Sequence, residues 1–136
     1  AGLFDSFQVT YNILETSAHD ILKSLLDRGK TVIVKEALAN GRVFRNDEFP
    51  HYEHVYDALD RLSARYGAGV DALALRFVMD QLQPTVVLSG ASSIGQLNDN
   101  LKAANMRLDP NDLEELSLLN GDPARYWSER GRLPWN

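Results

Sequence analysis

Two continuous apolar runs constrain the fold of this chain more than any other feature. The segments TVIVKEAL, residues 31–38, and TVVLSG, residues 85–90, are largely apolar at successive positions rather than at alternate ones. Such runs are typical of strands in a parallel sheet, where both faces of each strand are covered. Parallel neighbours need a long crossover between them, and that crossover is usually a helix. The two runs therefore predict an α/β fold with buried parallel strands.

A third strand and several helices are predicted around these runs. Residues 4–12, FDSFQVTYN, are rich in aromatic and β-branched residues, which indicates a strand. Residues 17–29 are predicted to form a helix with Ser17 as its N-cap, Ile21 on its apolar stripe and Gly29 at its end. Further stripes predict a helix with Val55, Leu59, Leu62 and Tyr66 inside, a helix over residues 70–82, a helix after Ser92 with Leu97 and Leu101 on its core face, and a helix between Asp109 and Gly121.

This order of elements predicts consecutive parallel strands joined by right-handed crossovers. Three such strands alone expose two sheet edges, whereas closure into a barrel removes every edge. A doubly wound sheet that lacks its first half is the alternative. Small and polar residues follow each strand, and barrels bind phosphate in the loops after their last two strands, which favours the barrel. We expect one partial domain over residues 1–136, with a C-terminal tail at residues 120–136.

The composition excludes several classes of function. The 136 residues are 44% hydrophobic and 24% charged, as in an ordinary soluble domain, and the net charge of −5 gives no general attraction to nucleic acid or anionic lipid. The absence of cysteine excludes disulfides, thiolate zinc sites and thiol catalysis, and fits a cytoplasmic location. No apolar run approaches the roughly 18 residues of a membrane span. We expect a cytoplasmic protein without nucleic-acid or membrane partners.

The segment PTVVLSGASSIGQLNDNL, residues 84–101, predicts a local anion site. It runs from a buried strand through small residues into a helix, and such a helix start presents backbone N–H groups to an anion. Gln96, Asp99 and Asn100 are spaced to share one helical face.

The three segments FQVTYN, VIVKEALANG and VVLSGASSIGQLNDNL resemble, in order and spacing, the C-terminal half of the aldo-keto reductases. These (β/α)8-barrel enzymes reduce carbonyls with NADPH. The resemblance runs from Phe4 to about Leu119 and implies that the strands are the sixth, seventh and eighth of the barrel. The chain starts with Ala-Gly-Leu rather than Met and its RLPWN ending looks like a natural C-terminus, so we expect the missing half upstream.

The resemblance also implies which residues contact the cofactor. The nicotinamide carboxamide is bonded by Gln8, whose amide both donates and accepts. The adenosine end of the cofactor contacts the helical face that Gln96, Asp99 and Asn100 share. The implied set is Gln8 and Lys35 near the nicotinamide, Leu38, Ala39 and Gly41 against the pyrophosphate, Ser89, Gly90 and Ser92 in the turn after the last strand, and Gln96, Asp99 and Asn100 at the adenosine.

Departures from the family pattern bear on cofactor choice. Lys35 stands where most members stack an aromatic ring on the nicotinamide, and Glu36 stands where serine is usual. Gly90 and Gln96 occupy places where many members hold the 2′-phosphate with Lys or Arg. Asp99 is an acceptor for a ribose hydroxyl, which favours NAD. We expect NADP, with NAD as the open alternative.

The catalytic Asp, Tyr, Lys and His of the family belong to its front half, so none is assigned in this chain, and Tyr11 and Lys35 are not substitutes. His51, His54 and Asp57 could share a helix face as metal ligands, but a solvated surface is the favoured interpretation and no metal site is predicted. The tail is predicted to pack through Trp127 and Trp135.

Three hypotheses for function follow from the resemblance. The first is the cofactor-binding C-terminal part of an NAD(P)H-dependent aldo-keto reductase, which in the intact protein reduces a small carbonyl substrate by hydride transfer. The second is a non-catalytic regulatory module that senses the cofactor while attached to a partner, as the potassium-channel β subunits do. The third is a half-barrel that another copy completes.

Overall fold

The computed structural model describes residues 3–134, which form three strands and six α-helices. Three further 3-10 turns, at Ala39–Gly41, Pro50–Tyr52 and Lys102–Asn105, lie between these elements. In chain order the elements are β1 (Ser6–Thr10), α1 (His19–Asp27), β2 (Thr31–Lys35), α2 (Glu53–Tyr66), α3 (Val70–Leu82), β3 (Val86–Val87), α4 (Ile94–Leu101), α5 (Pro110–Ser117) and α6 (Pro123–Arg130).

The strands form one parallel sheet in the order β1-β2-β3. Gln8 of β1 pairs with Ile33 of β2, which pairs in turn with Val86 of β3. The β3 pairing extends by one bond, because the N–H of Leu88 donates to the carbonyl oxygen of Val34 at 2.9 Å. The prediction of an α/β fold with three parallel strands is confirmed.

Only one face of this sheet is covered within the described part of the chain. Val32 and Val34 have no exposed surface and join the core with the helices. The alternate positions lie on the opposite face, where Val86 is 42% exposed, Ile33 is half-buried and Gln8 is exposed. The apolar runs predict strands covered on both faces, but the helices of residues 3–134 supply a layer for one face alone.

The helices α2 and α3 form the centre of the core, as their apolar spacing predicts. Val55, Leu59 and Leu62 of α2 are fully buried, and Tyr66 packs against the same cluster. The bounds of α3 agree with the predicted residues 70–82. Gly67 ends α2 at φ 60°, a left-handed conformation that glycine adopts without strain.

Helix α4 buries a different side from the one its sequence predicts. Leu97 and Leu101, the predicted core residues, are 44% and 55% exposed, and Ile94 is 79% exposed. Asn100 is instead buried, and its Nδ2 donates to the carbonyl oxygen of Ser89 at 3.3 Å. The apolar stripe of α4 therefore faces solvent beside the β3 edge.

Helix α1 also differs from its prediction. It begins at His19, with Ala18 at the N-cap and no side-chain capping bond, so the Ser17 cap is wrong. The N–H of Ser17 donates to Glu15 Oε1 at 2.8 Å, which holds Ser17 in the preceding turn. Ile21, predicted on the buried stripe, is 65% exposed, whereas Leu22 is fully buried.

The tail folds back onto the loop that follows β2, and Tyr126 is its anchor. Tyr126 is 1% exposed, whereas Trp127, the predicted anchor, is 48% exposed. Arg42 has its guanidinium carbon 4.0 Å from the centre of the Tyr126 ring and donates to the Tyr126 carbonyl at 3.1 Å. Trp135 lies outside the described residues. Part of the loop that follows β2 is thus buried beneath α6, including Arg42 and Val43.

Within residues 3–134, no helix is long and apolar enough to cross a membrane.

Candidate functional site

A cleft of about 460 Å³ lies where β2 and β3 end. In open α/β sheets, ligands bind outside the carboxyl ends of the strands, where the following loops leave a crevice. Five of its lining residues are among those predicted to contact a cofactor, namely Lys35, Leu38, Gly41, Ser89 and Gly90. The fold therefore brings together two loops that are about fifty positions apart in sequence.

A second cleft of about 140 Å³ adjoins the first and shares Leu38, Phe44 and Gly90 with it. Ser92, just before α4, and Gln96 and Asn100 of α4 also line it. The two clefts together extend from the end of β2 to the first turns of α4. This is the direction in which an elongated ligand would lie.

The cleft wall is built from left-handed backbone. Gly41 has φ 86° and Gly90 has φ 66°, while Glu36 and Asn40 each have φ 55°. A Cβ atom at Gly90 would meet nothing within 4 Å, so open space faces this turn. Glycine at such positions leaves the backbone accessible and keeps the turn unstrained.

The start of α4 is capped by Ser93, whose Oγ accepts a bond from the N–H of Gln96 at 3.2 Å. The neighbouring Ser92 contacts the same glutamine, because its N–H and its Oγ lie 2.8 Å and 2.9 Å from Gln96 Oε1. Ser92 and Gln96 thus satisfy each other. A ligand that takes the N–H of Ser92 must displace this side chain.

Three predicted contact residues line neither of these clefts. Gln8 is exposed on the open face of the sheet, in the middle of β1. Ala39 has no exposed surface, so it offers none to a ligand. Asp99 points to Lys102 instead, with its Oδ1 2.7 Å from the ammonium.

A largely buried ion pair between Glu36 and Arg130 lies beside the cleft, and the sequence did not indicate it. Glu36 lines the cleft, and its Oε1 accepts from Arg130 Nε at 3.1 Å and from Nη2 at 3.0 Å. The carbonyl oxygen of Glu36 accepts from Asn12 Nδ2 at 2.9 Å. Because Glu36 and Arg130 are 94 positions apart, no local pattern could have found their contact.

Tyr11 is fully buried and its hydroxyl bonds to His19 Nδ1 at 2.9 Å. Burial raises the pKa of Tyr11 well above its ordinary value. A hydroxyl with no access to solvent is a poor proton donor for a bound substrate.

Two of the candidate metal ligands, His51 and Asp57, already contact other charged side chains. His51 Nε2 lies 2.7 Å from Glu129 Oε1, and Asp57 Oδ1 lies 2.8 Å from Arg45 Nη2. Among residues 3–134, no group of three or more His, Asp or Glu side chains is arranged to hold a metal ion.

The model of the aldo/keto reductase family matches residues 3–120 of this chain. The chain belongs to the aldo/keto reductase family. The match takes in all three strands and helices α1 to α5, and helix α6 lies beyond it.

Solved aldo-keto reductases have the same fold over most of this chain. A thermostable aldo-keto reductase in complex with the inhibitor epalrestat superposes with a TM-score of 0.67 at 20% identity, covering 85% of this chain and 39% of that one. The aldo-keto reductase of Bacillus halodurans matches in its apo form (TM-score 0.67, 22% identity, 86% and 44% coverage) and its holo form (0.65, 24%, 88% and 44%). The chain thus spans less than half the length of these reductases. The search of curated proteins gave no match.

Proposed function

We propose that this chain is the cofactor-binding C-terminal part of an NAD(P)H-dependent aldo-keto reductase. The intact protein would reduce an aldehyde or ketone to an alcohol by hydride transfer. The observation that carries the proposal is the shared cleft, where Leu38 and Gly41 of one loop face Ser89 and Gly90 of the other. Family membership alone would leave the location of the site open, and the convergence of these two loops supports a site on this surface.

The residues of the cleft fit a phosphate-bearing cofactor. Gly90 combines a left-handed backbone with open space around it, so a phosphate can approach its N–H closely. Lys35 adds a cation to the lining. When bound, the nicotinamide would supply the hydride, and Gln8 would orient its carboxamide through the amide group.

The proposal includes a half-barrel architecture in a single partial domain over residues 1–136, with the tail at residues 120–136. Two observations support it. The chain covers only 39% to 44% of the reductases it matches, and the sheet face that carries Ile33 and Val86 has no covering layer. The three strands would then be the last three of a (β/α)8 barrel, and an N-terminal half would cover that face. The catalytic Asp, Tyr, Lys and His would come from the same half.

NADP is the proposed cofactor, and NAD is the alternative. Gly90 and Gln96 lack the positive charge that commonly holds a 2′-phosphate. The case for NAD rested on Asp99, but its carboxylate is paired with Lys102, which offsets the negative charge. A cytoplasmic location belongs to the same proposal and is supported by the absence of cysteine.

A half-barrel completed by a second copy is the competing candidate. It is favoured by the same open sheet face and by the exposed stripe of Ile94, Leu97 and Leu101 on α4. Sedimentation of the purified chain separates the candidates, since a discrete species with twice the mass of the chain supports completion by another copy. Association without a defined stoichiometry supports a missing N-terminal half. A compact, stable monomer contradicts both.

Titration of the chain with NADPH and NADH, followed by nicotinamide fluorescence, tests the proposed function. Saturable binding that falls about tenfold in Gln96→Ala, as expected for one lost hydrogen bond, supports it. Asn98→Ala is the matched control, because Asn98 is exposed on the same helix and lines neither cleft. Absence of binding, or equal binding by Gln96→Ala and the parent chain, contradicts the site. Turnover of a carbonyl by the chain alone contradicts the absence of catalytic groups.

A further inference from the structure

The cleft contains two adjacent side chains of opposite charge. Lys35 and Glu36 both line it. If these were the whole charge set, their effects on an approaching anion would largely cancel, because they lie on consecutive residues. Whether the cleft attracts an anion therefore depends on what else pairs with each of them.

Glu36 is neutralised from outside the cleft by Arg130. Both side chains are largely buried, at 11% and 17% exposure, so solvent screens their interaction less than at an open surface. The second carboxylate oxygen, Oε2, is buried and has no hydrogen-bond partner among the described residues. Lys35, by contrast, has no ion pair within residues 3–134. The negative charge of Glu36 is thus neutralised, and the positive charge of Lys35 remains at the cleft.

The position of Arg130 is set by the packing of α6. Tyr126, one turn earlier, is buried over the guanidinium of Arg42 and its hydroxyl accepts from Asn12 Nδ2 at 3.0 Å. Glu129 accepts from Arg42 at 3.1 Å and from the Tyr52 hydroxyl at 2.7 Å. These contacts of Tyr126 and Glu129 hold α6 in place, and with it the position of Arg130. Helix α6 lies beyond the residues that the family model matches.

We propose that Arg130 is a positioning residue that makes the cleft cationic: by neutralising Glu36 it leaves Lys35 to bind a phosphate group of the ligand. The inference rests on the proposed function for the identity of that ligand, a nicotinamide dinucleotide. The predicted attraction does not depend on the nicotinamide, because any phosphate in the cleft experiences the charges of Lys35, Glu36 and Arg130.

The test measures binding of inorganic pyrophosphate by calorimetry, and of NADPH by fluorescence, to the whole chain and its variants. Arg130→Met and Lys35→Met should each weaken pyrophosphate binding about tenfold. The double variant Arg130→Met with Glu36→Gln should recover most of the loss, because the unpaired carboxylate is removed as well. Arg125→Met is the matched control, since Arg125 is exposed on the same helix and should bind as the parent does.

The rescue distinguishes charge from structure. If α6 merely supported the fold, Glu36→Gln would not restore binding in the Arg130→Met background, and that result overturns the inference. Pyrophosphate binding that is absent from the parent chain, or unchanged in Arg130→Met, also overturns it. If the parent chain binds pyrophosphate with the predicted pattern but binds no NADPH, the inference stands for another phosphate ligand and the proposed function fails. Parallel losses for both probes support the dinucleotide as the source of the phosphate.

Discussion

Asn100 Nδ2 lies 3.3 Å from the carbonyl oxygen of Ser89, which joins the last turn of α4 to the end of β3. Asn100 is 5% exposed, although α4 carries leucines that its pattern assigns to the core. A single buried amide therefore links α4, which lines the smaller cleft, to Ser89, which lines the larger one. Asn100 therefore has a structural role in addition to its predicted contact with a ligand.

Replacement of Asn100 by Ala should reduce stability as well as ligand binding. The change removes one buried hydrogen bond and leaves the Ser89 carbonyl without that partner, at an expected cost of about 1 to 2 kcal/mol in the free energy of unfolding. Urea unfolding measures this loss. Asn98→Ala, on the exposed face of α4, is the control and should unfold like the parent chain. Equal stability of Asn100→Ala and the parent would contradict a structural role for the bond between Asn100 and Ser89.

The face of α4 could not be predicted from the sequence, and the reason is physical. The spacing of Ile94, Leu97 and Leu101 shows that they share a side of the helix, but not which neighbour covers that side. Leu97 and Leu101 border a cleft with residues of α3 but stay 44% and 55% exposed. A polar residue, Asn100, is buried instead. Helix α3 was predictable because its apolar residues meet neighbours that belong to this same chain.

Replacement of Gly90 by Val should destabilise the turn after β3 through its backbone. Gly90 has φ 66°, which a β-branched residue adopts only at a cost of roughly 1 to 2 kcal/mol. Crowding is not the cause, because a Cβ there meets nothing within 4 Å. Gly90→Asn should therefore unfold close to the parent in thermal denaturation, since asparagine tolerates this conformation. Similar losses for Val and Asn would contradict the argument from the backbone.

Replacement of Arg42 by Met should release the tail from the loop after β2. Arg42 is 1% exposed, and its loss leaves Glu129 buried without its strongest partner, at an expected cost of about 3 kcal/mol. Chemical unfolding gives the stability, and limited proteolysis should show earlier cleavage within α6. Arg45→Met is the control, because Arg45 is an exposed arginine whose partners are also exposed, and it should change little. Unchanged proteolysis of Arg42→Met would mean that α6 is held by other contacts.

The tail also marks a limit of sequence reasoning. Trp127 is the larger and more apolar side chain, yet Tyr126 is the buried anchor, since its hydroxyl meets Asn12 and its ring meets Arg42. The contact of Glu36 with Arg130 depends on that docking. The cleft residues Leu38, Ser89 and Gly90, by contrast, were predicted through the resemblance to the family, which supplies a long-range arrangement that no local pattern carries.

Asp80 should contribute to the loss of stability in acid. Burial would raise the pKa of Asp80, but its bonds to Arg76 and to the N–H of Leu108, with Arg107 nearby, outweigh burial and hold that pKa below its ordinary value of 3.8. The stabilisation is therefore present above the unfolded pKa and is lost as pH falls through the lower folded pKa. Asp80→Asn should be less stable at neutral pH and should lose less stability below about pH 4. Parallel pH profiles for the two proteins would contradict this assignment.

Hydrogen exchange of the chain with and without NADPH tests the central claim most directly, because it locates the bound ligand without relying on turnover. We expect slower exchange of backbone N–H groups in two stretches, residues 35–44 and 88–96, where the loops of the cleft lie. Helix α5 (Pro110–Ser117) lines neither cleft and should exchange at the same rate in both samples. Protection confined to α5, or no protection in either stretch at saturating NADPH, would contradict the assignment of this cleft as the cofactor site.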